Sequence, residues 1–234
     1  MKNYLILHIP HSSTDLGEIT YSLSEEKLKE ELFYSTDWFT DELFDFELCT
    51  RIVFNKSRLY IDVERFNDER ETMGSIGRGI KYTRTFYNEL LKENVDYSIE
   101  PYIRHHEELE CAVEQSLSVF EKIYIIDCHA FNDDIQPNTP DICIGFNATN
   151  CDVQAITNVE KIFQDHGYTV EKNYPYSGSI IPDLYVEHPN VFTMMIEINK
   201  RVYMANEEFV PHKGQGFENI KNVIFEALKS IQHQ

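Results

Sequence analysis

The chain has 234 residues, 42% of them hydrophobic, which is enough to bury one substantial core, and one domain over residues 1–234 is expected. Lys and Arg total 21 against 40 Asp and Glu, so the formal charge is 21 − 40 = −19, a field that repels polyphosphates and anionic lipid and leaves neither nucleic acid nor a membrane as an expected partner. That field also repels small anions, so a site for one must bring its own positive charge, from an Arg or a metal ion.

In the opening MKNYLILHIPHSS, residues 4–9 form an apolar run that His8 and Pro10 interrupt too early for a signal-peptide core. The run reads as a buried strand ended by Pro10, with a polar HSST loop after it. Ser22 and Glu25 resemble a capping box for a helix to about residue 34, and Trp38, Phe39, Leu43 and Phe44 predict a second helix over 37–48. Residues 51–54 and 59–63 read as strands, and a loop with Gly74, Gly77 and Gly79 leads to a helix over 82–92. Pro101 suits the first turn of a long helix over 102–120. Residues 123–127 are the clearest central strand, residues 141–146 another. An amphipathic helix over 152–166 stops at Gly167, a strand covers 191–198, and a closing helix covers 217–231. No stretch approaches a membrane span. Cys49, Cys111, Cys128, Cys143 and Cys151, five in number and without a CxxC pair, fit reduced thiols in a cytoplasmic protein. Strands alternating with helices predict an α/β fold: a mixed, mostly parallel central sheet with helices on both faces, and a ligand site beyond the carboxyl ends of the strands.

The ends of four predicted strands carry polar residues that a buried strand does not need: His8 with His11, residues 62–65, Asp127 with His129, and Glu197 with Asn199. Asp127 and His129 are two apart and share a side of their strand, so His129 is either a metal ligand steadied by a carboxylate or a hydrogen-bonded structural histidine. His11 lies in a loop whose serines would also cap a turn. Asp37 fits an early helix position favoured by the helix dipole. Glu197 interrupts the apolar MMI run, where an isolated carboxylate costs several kcal/mol unless it is paired or working. Arg65 either bridges Asp62 or Glu64, or grips a substrate carboxylate with its guanidinium fork. Arg78, between Gly77 and Gly79, is a second candidate for an anionic group or a solvated loop Arg. His105 and His106 read as structural, and Glu107, Glu108 and Glu110 as a solvated face.

Taken in order, HIPHSS, STDWFTDEL, SRLYIDVERF, YIRHHEEL, DCHAF, NYPYSGSI and IEINKRVYM resemble the N-formylglutamate amidohydrolase family over nearly the whole chain. That family is similar in fold to zinc carboxypeptidases and aspartoacylase-type deacylases, so the resemblance implies one Zn2+ ion at the strand ends. The implied ligands are His11, Asp37 and His129, with a fourth position open for water and with His8 and Asp62 as substitutes for Asp37. Two imidazoles and a carboxylate suit a hydrolytic zinc. Glu197 matches the family's general base, and Arg65 its substrate-binding Arg, with Glu64 where the family usually has Asn. A carboxylate there would weaken the hold on an anion. Asn173 and Gly178 match a loop that closes over substrate. The implied function is zinc-dependent hydrolysis of the amide bond in a small acidic N-acyl amino acid. The alternatives are a zinc peptidase acting on short peptides and a homologue that binds a small molecule without turnover.

Overall fold

The computed structural model describes residues 3–93, 95–133 and 138–234. Its centre is a sheet of six strands, β1 (Asn3–Ile9), β2 (Cys49–Val53), β3 (Lys122–Phe131), β4 (Ile142–Gly145), β5 (Val170–Lys172) and β6 (Val191–Asn199), in the order β2-β1-β3-β6-β4-β5. From β2 through β1 and β3 to β6 all pairs are parallel; β4 runs antiparallel to β6, and β5 pairs parallel with β4. The chain therefore forms the mixed, mostly parallel α/β sheet expected from its alternating elements.

Side-chain parity sorts the strands into two faces. Leu5, Leu7, Tyr124, Ile126, Met194 and Ile196 face helices α4 (Val153–Asp165) and α5 (Phe217–Gln232), with Val159, Phe163, Ile220 and Ile224 in one large core. Ile6, Ile52, Ile123, Ile125 and Val191 face the opposite way, onto Leu109 and Val113 of α3 (Glu100–Leu117). A strand covered on both sides must be apolar on both, which is why β3 is buried from Ile123 onward. Each fully buried Leu or Ile contributes about 1.5–3 kcal/mol of apolar burial. Pro101 sits in the first turn of α3, and Asp152 caps α4 by accepting from the backbone of Gln154 and Ala155.

Several local expectations are corrected. Helix α1 (Glu25–Ser35) is capped by Ser24, whose hydroxyl accepts from Lys27 N–H, while the backbone N–H of Ser22 is tied to Leu91 O. The helix expected over 37–48 shrinks to α2 (Thr40–Leu43), because Asp37 N–H is bonded to His11 O and Phe39 takes a left-handed φ of 64°. Residues 59–63 are not a strand. Ser57 O accepts from Tyr60 and Ile61, forming a turn, and Leu59, Ile61 and Val63 are buried in two small side clusters off the sheet. Residues 82–92 are not a helix either: they form an extended excursion that bridges Arg84 to Leu90 and turns at Asn88, φ 63°. The β-branched and aromatic residues Tyr82, Thr83, Thr85, Phe86 and Tyr87 favour extended backbone over helix. A hairpin of β7 (Met204–Glu207) and β8 (Val210–Lys213) turns through Glu208 and Phe209, both at positive φ, without the Asn-Gly signature of such turns. Among the described residues, no helix is long and apolar enough to cross a membrane.

Candidate metal centre and active site

The face that α3 covers changes character at the carboxyl ends of the strands. Beyond Ile6, Ile123 and Ile125 the same parity brings up His8, Asp127 and His129, and on β6 it brings up Glu197. Register then sets the neighbours: His8 lies opposite Asp127, and His129 opposite Glu197. All four are buried.

Into this corner the loop after β1 brings His11, and the turn between α1 and α2 brings Asp37. Donor atoms of His11, Asp37 and His129 lie within 4.8 Å of one another. Asp37 Oδ2 is 3.0 Å from His129 Nδ1 and 3.6 Å from His11 Nδ1. The far nitrogens are held by carboxylates, His11 Nε2 by Asp62 Oδ1 at 2.8 Å and His129 Nε2 by Asp127 Oδ1 at 3.0 Å. A carboxylate accepting from Nε2–H leaves the Nδ1 lone pair of each ring for the centre. His11 Nδ1 is buried and has no hydrogen-bond partner. Leaving such a group unmet costs about 1–3 kcal/mol, a cost that a cation held by the three residues would remove. The donor set therefore fits a zinc-type ion.

The substitutes considered for Asp37 lie elsewhere. Asp62 is on the far side of the His11 ring, where Oδ1 also accepts from Glu64 N–H and Oδ2 from Arg58 and the Tyr82 hydroxyl. His8 belongs to a second group with Glu64 and Asp127. Its Nδ1 is 2.8 Å from Asp127 and 3.1 Å from Glu64, and its Nε2 is 2.8 Å from His105 Nε2. Burial works against a charged His8, but the two carboxylates carry its pKa up to about 9, while burial presses that of His105 down to about 2. The second group thus already contains its cation, an imidazolium donating to a neutral imidazole.

Burial also opposes ionisation of Asp37 and Asp62, yet the histidine rings beside them and, for Asp62, the charge of Arg58 hold both well below the usual carboxylate range. Glu197 goes the other way. Burial, with Asp37 adding to it against the pull of His129, pushes its carboxyl up to about 8.

A cavity of about 400 Å³ opens over these groups, lined by His11, Asp37, His129 and Glu197 and by three arginines, Arg58, Arg65 and Arg78. Arg65 donates to Arg78 O and to the Tyr82 hydroxyl, both at 3.1 Å, and its Nε is 3.6 Å from Asp62. Arg78 rests on the Tyr82 ring, 4.8 Å from its centroid. Arg58 did not stand out in the sequence; its pairing with Asp62 at 2.9 Å follows an i,i+4 spacing in SRLYID. Neither Asn173 nor Gly178 lines the cavity. Asn173 Oδ1 instead accepts from Phe146 N–H at 2.9 Å and Gly178 N–H at 3.4 Å, bending the loop so that Tyr176 and Ser177 line it. His106 is bonded to Val63 O at 2.9 Å and supports the segment that carries Glu64 and Arg65.

Residues 4–204 match the family model described as N-formylglutamate amidohydrolase. Among solved structures, the chain is similar to the N-formylglutamate amidohydrolase from Ralstonia eutropha JMP134, with a TM-score of 0.83 at 20% identity over 98% of this chain and 93% of that one. It is also similar to a gene product of Agrobacterium tumefaciens, with a TM-score of 0.64 at 17% identity over 98% and 90%. At such identities the likeness to solved structures is one of fold. No curated protein matches the chain in sequence.

Proposed function

The chain belongs to the N-formylglutamate amidohydrolase family, and from that premise we propose that it is a single-domain, cytoplasmic, metal-dependent enzyme that hydrolyses the amide bond of a small N-acyl amino acid. The observation that carries the metal dependence is the buried, unpartnered Nδ1 of His11, turned toward Asp37 Oδ2 at 3.6 Å while Asp62 takes its other nitrogen. His11, Asp37 and His129 would hold the ion. Zinc, when bound there, supplies Lewis acidity to a water and to the amide carbonyl.

The chain's own residues do the rest. Asp62 and Asp127 keep both imidazoles in the tautomer that offers Nδ1, and they raise its basicity. Glu197 takes a proton from the attacking water and delivers it to the leaving amine nitrogen; a carboxyl held near neutrality can do both. Arg78 receives the substrate's carboxylate, while Arg65, held by Asp62 and the Tyr82 hydroxyl, adds positive charge beside it, as the net charge of −19 requires of any anion site here. A 400 Å³ cavity with three arginines favours a small anionic substrate over an extended peptide.

The test is hydrolysis of a panel of N-formyl and N-acetyl amino acids, together with short peptides, by metal-stripped and zinc-reloaded protein. Activity should return with about one ion per chain. Glu197→Gln should keep the ion and lose about 10²–10⁴-fold in kcat, whereas His129→Ala should lose the ion as well. Full activity in protein with no bound metal would defeat the proposal, and preference for peptides would favour the peptidase reading.

A further inference from the structure

We propose that the amino acid released by this site carries one carboxylate and an apolar side chain, so that N-acyl derivatives of leucine- or phenylalanine-like residues are preferred over N-acylglutamate. The inference rests on the reading of the cavity as an N-acyl amino acid site and names the side chain that it selects.

The first ground is the number of cations available. Arg58 and Arg65 both face Asp62, at 2.9 and 3.6 Å, and Arg65 is further held by the Tyr82 hydroxyl. Arg78 differs: among the described residues it is paired with no carboxylate, and its buried Nε has no hydrogen-bond partner. It lies 4.8 Å from the Tyr82 ring centroid and 5.7 Å from that of Phe86. Glu31, whose charge and that of Arg78 act on each other, commits its oxygens to Phe86 N–H and the Ser35 hydroxyl. One uncommitted guanidinium can grip one carboxylate in two hydrogen bonds. A glutamate derivative would bring two.

A second substrate carboxylate would also meet opposition. Glu64 lines the cavity, with its Oε1 3.1 Å from His8 Nδ1. Asp37 and Glu197 line the same space, so a glutamate side chain would bring another carboxylate among carboxylates, where like charges disfavour each other.

The third ground is what surrounds the uncommitted arginine. Met73 and Ile76, just before Arg78 in the chain, and Phe86 of the 82–92 excursion line the cavity. Ile76 is 55% exposed and Phe86 52%, an uncovered apolar wall beside a cation. The bond from Phe86 N–H to Glu31, 3.0 Å long, ties that wall to α1. A carboxylate on Arg78 would leave the neighbouring side chain against these three residues, where an apolar group gains and a charged one is stranded.

The test compares N-formyl-L-leucine, N-formyl-L-phenylalanine and N-formyl-L-glutamate in two readouts, kcat/KM of the zinc-loaded enzyme and calorimetric binding to zinc-loaded Glu197→Gln. The apolar ligands are expected to lead by about 10-fold or more in both. Arg78→Ala should weaken all three. Phe86→Ser, at an exposed position, should weaken the two apolar ligands more than N-formylglutamate, and Glu64→Gln should strengthen N-formylglutamate relative to the other two. Binding in the expected order without hydrolysis would sink the amidohydrolase reading and leave the selectivity standing. Tighter binding of N-formylglutamate than of either apolar ligand, or binding of none of the three at millimolar concentration, would overturn the inference.

Discussion

Asp127 serves two histidines at once. Its Oδ1 accepts from His8 at 2.8 Å and from His129 at 3.0 Å, and its Oδ2 accepts from Ile180 N–H at 3.1 Å. The residue that orients a proposed metal ligand is thereby anchored to a buried imidazolium. That anchor has a pH signature. The His8 pKa is carried from 6.5 to about 9 on folding, so its stabilising contribution is complete below about pH 6.5 and disappears as pH rises through about 9. At about 1.4 kcal/mol per unit, the effect is roughly 3 kcal/mol. Urea midpoints measured from pH 6 to 10 should fall across that window in the wild type. In His8→Gln they should be lower at pH 6 and fall less steeply; an equally steep fall in the variant would remove His8 as its cause. The pairing of Asp127 with His129 was legible in the sequence because a strand repeats every two residues. That of Asp62 with His11 was not, because 51 residues of chain separate them.

At the scale of elements, the loop after β5 lies directly on β4. A Cβ at Gly145 would come within 2.4 Å of Gly178 O and of Met195 Cε. Only glycine allows that approach, and the loop it admits carries Tyr176 and Ser177 into the cavity. Gly145→Ala should cost about 1–3 kcal/mol through overpacking and lower kcat/KM by lifting those two residues, read from thermal unfolding and steady-state kinetics on the same preparation. Unchanged values in both would show that the loop has room to move. Elements whose periodicity is reinforced by packing, such as α5 and β3, were legible with ends within a few residues. Those over 59–63 and 82–92 were not. Their apolar residues are buried one at a time by distant partners, and Asn88 adopts a positive φ that no helix accepts.

The whole molecule carries a charge of −19 and a cavity lined by three arginines. Its outer field slows the approach of an anionic substrate, whereas the arginines act only at close range. Salt shortens the reach of the field from about 30 Å at 0.01 M to about 8 Å at 0.15 M and screens buried contacts much less. Raising ionic strength over that interval should therefore increase kcat/KM for an N-acyl amino acid, with little change in kcat. A decrease would mean that attraction by the cavity outweighs repulsion by the surface. By itself the sequence determined the main alternation of strands with helices and the polar residues at the strand ends, since these follow from local periodicity and from the expense of burying a charge. Tertiary structure decided that His8 faces Asp127, that His129 faces Glu197, and that Asp37 turns toward both His11 and His129. Strand order and register are settled by which apolar faces cover one another across the whole chain, and no local pattern contains that information.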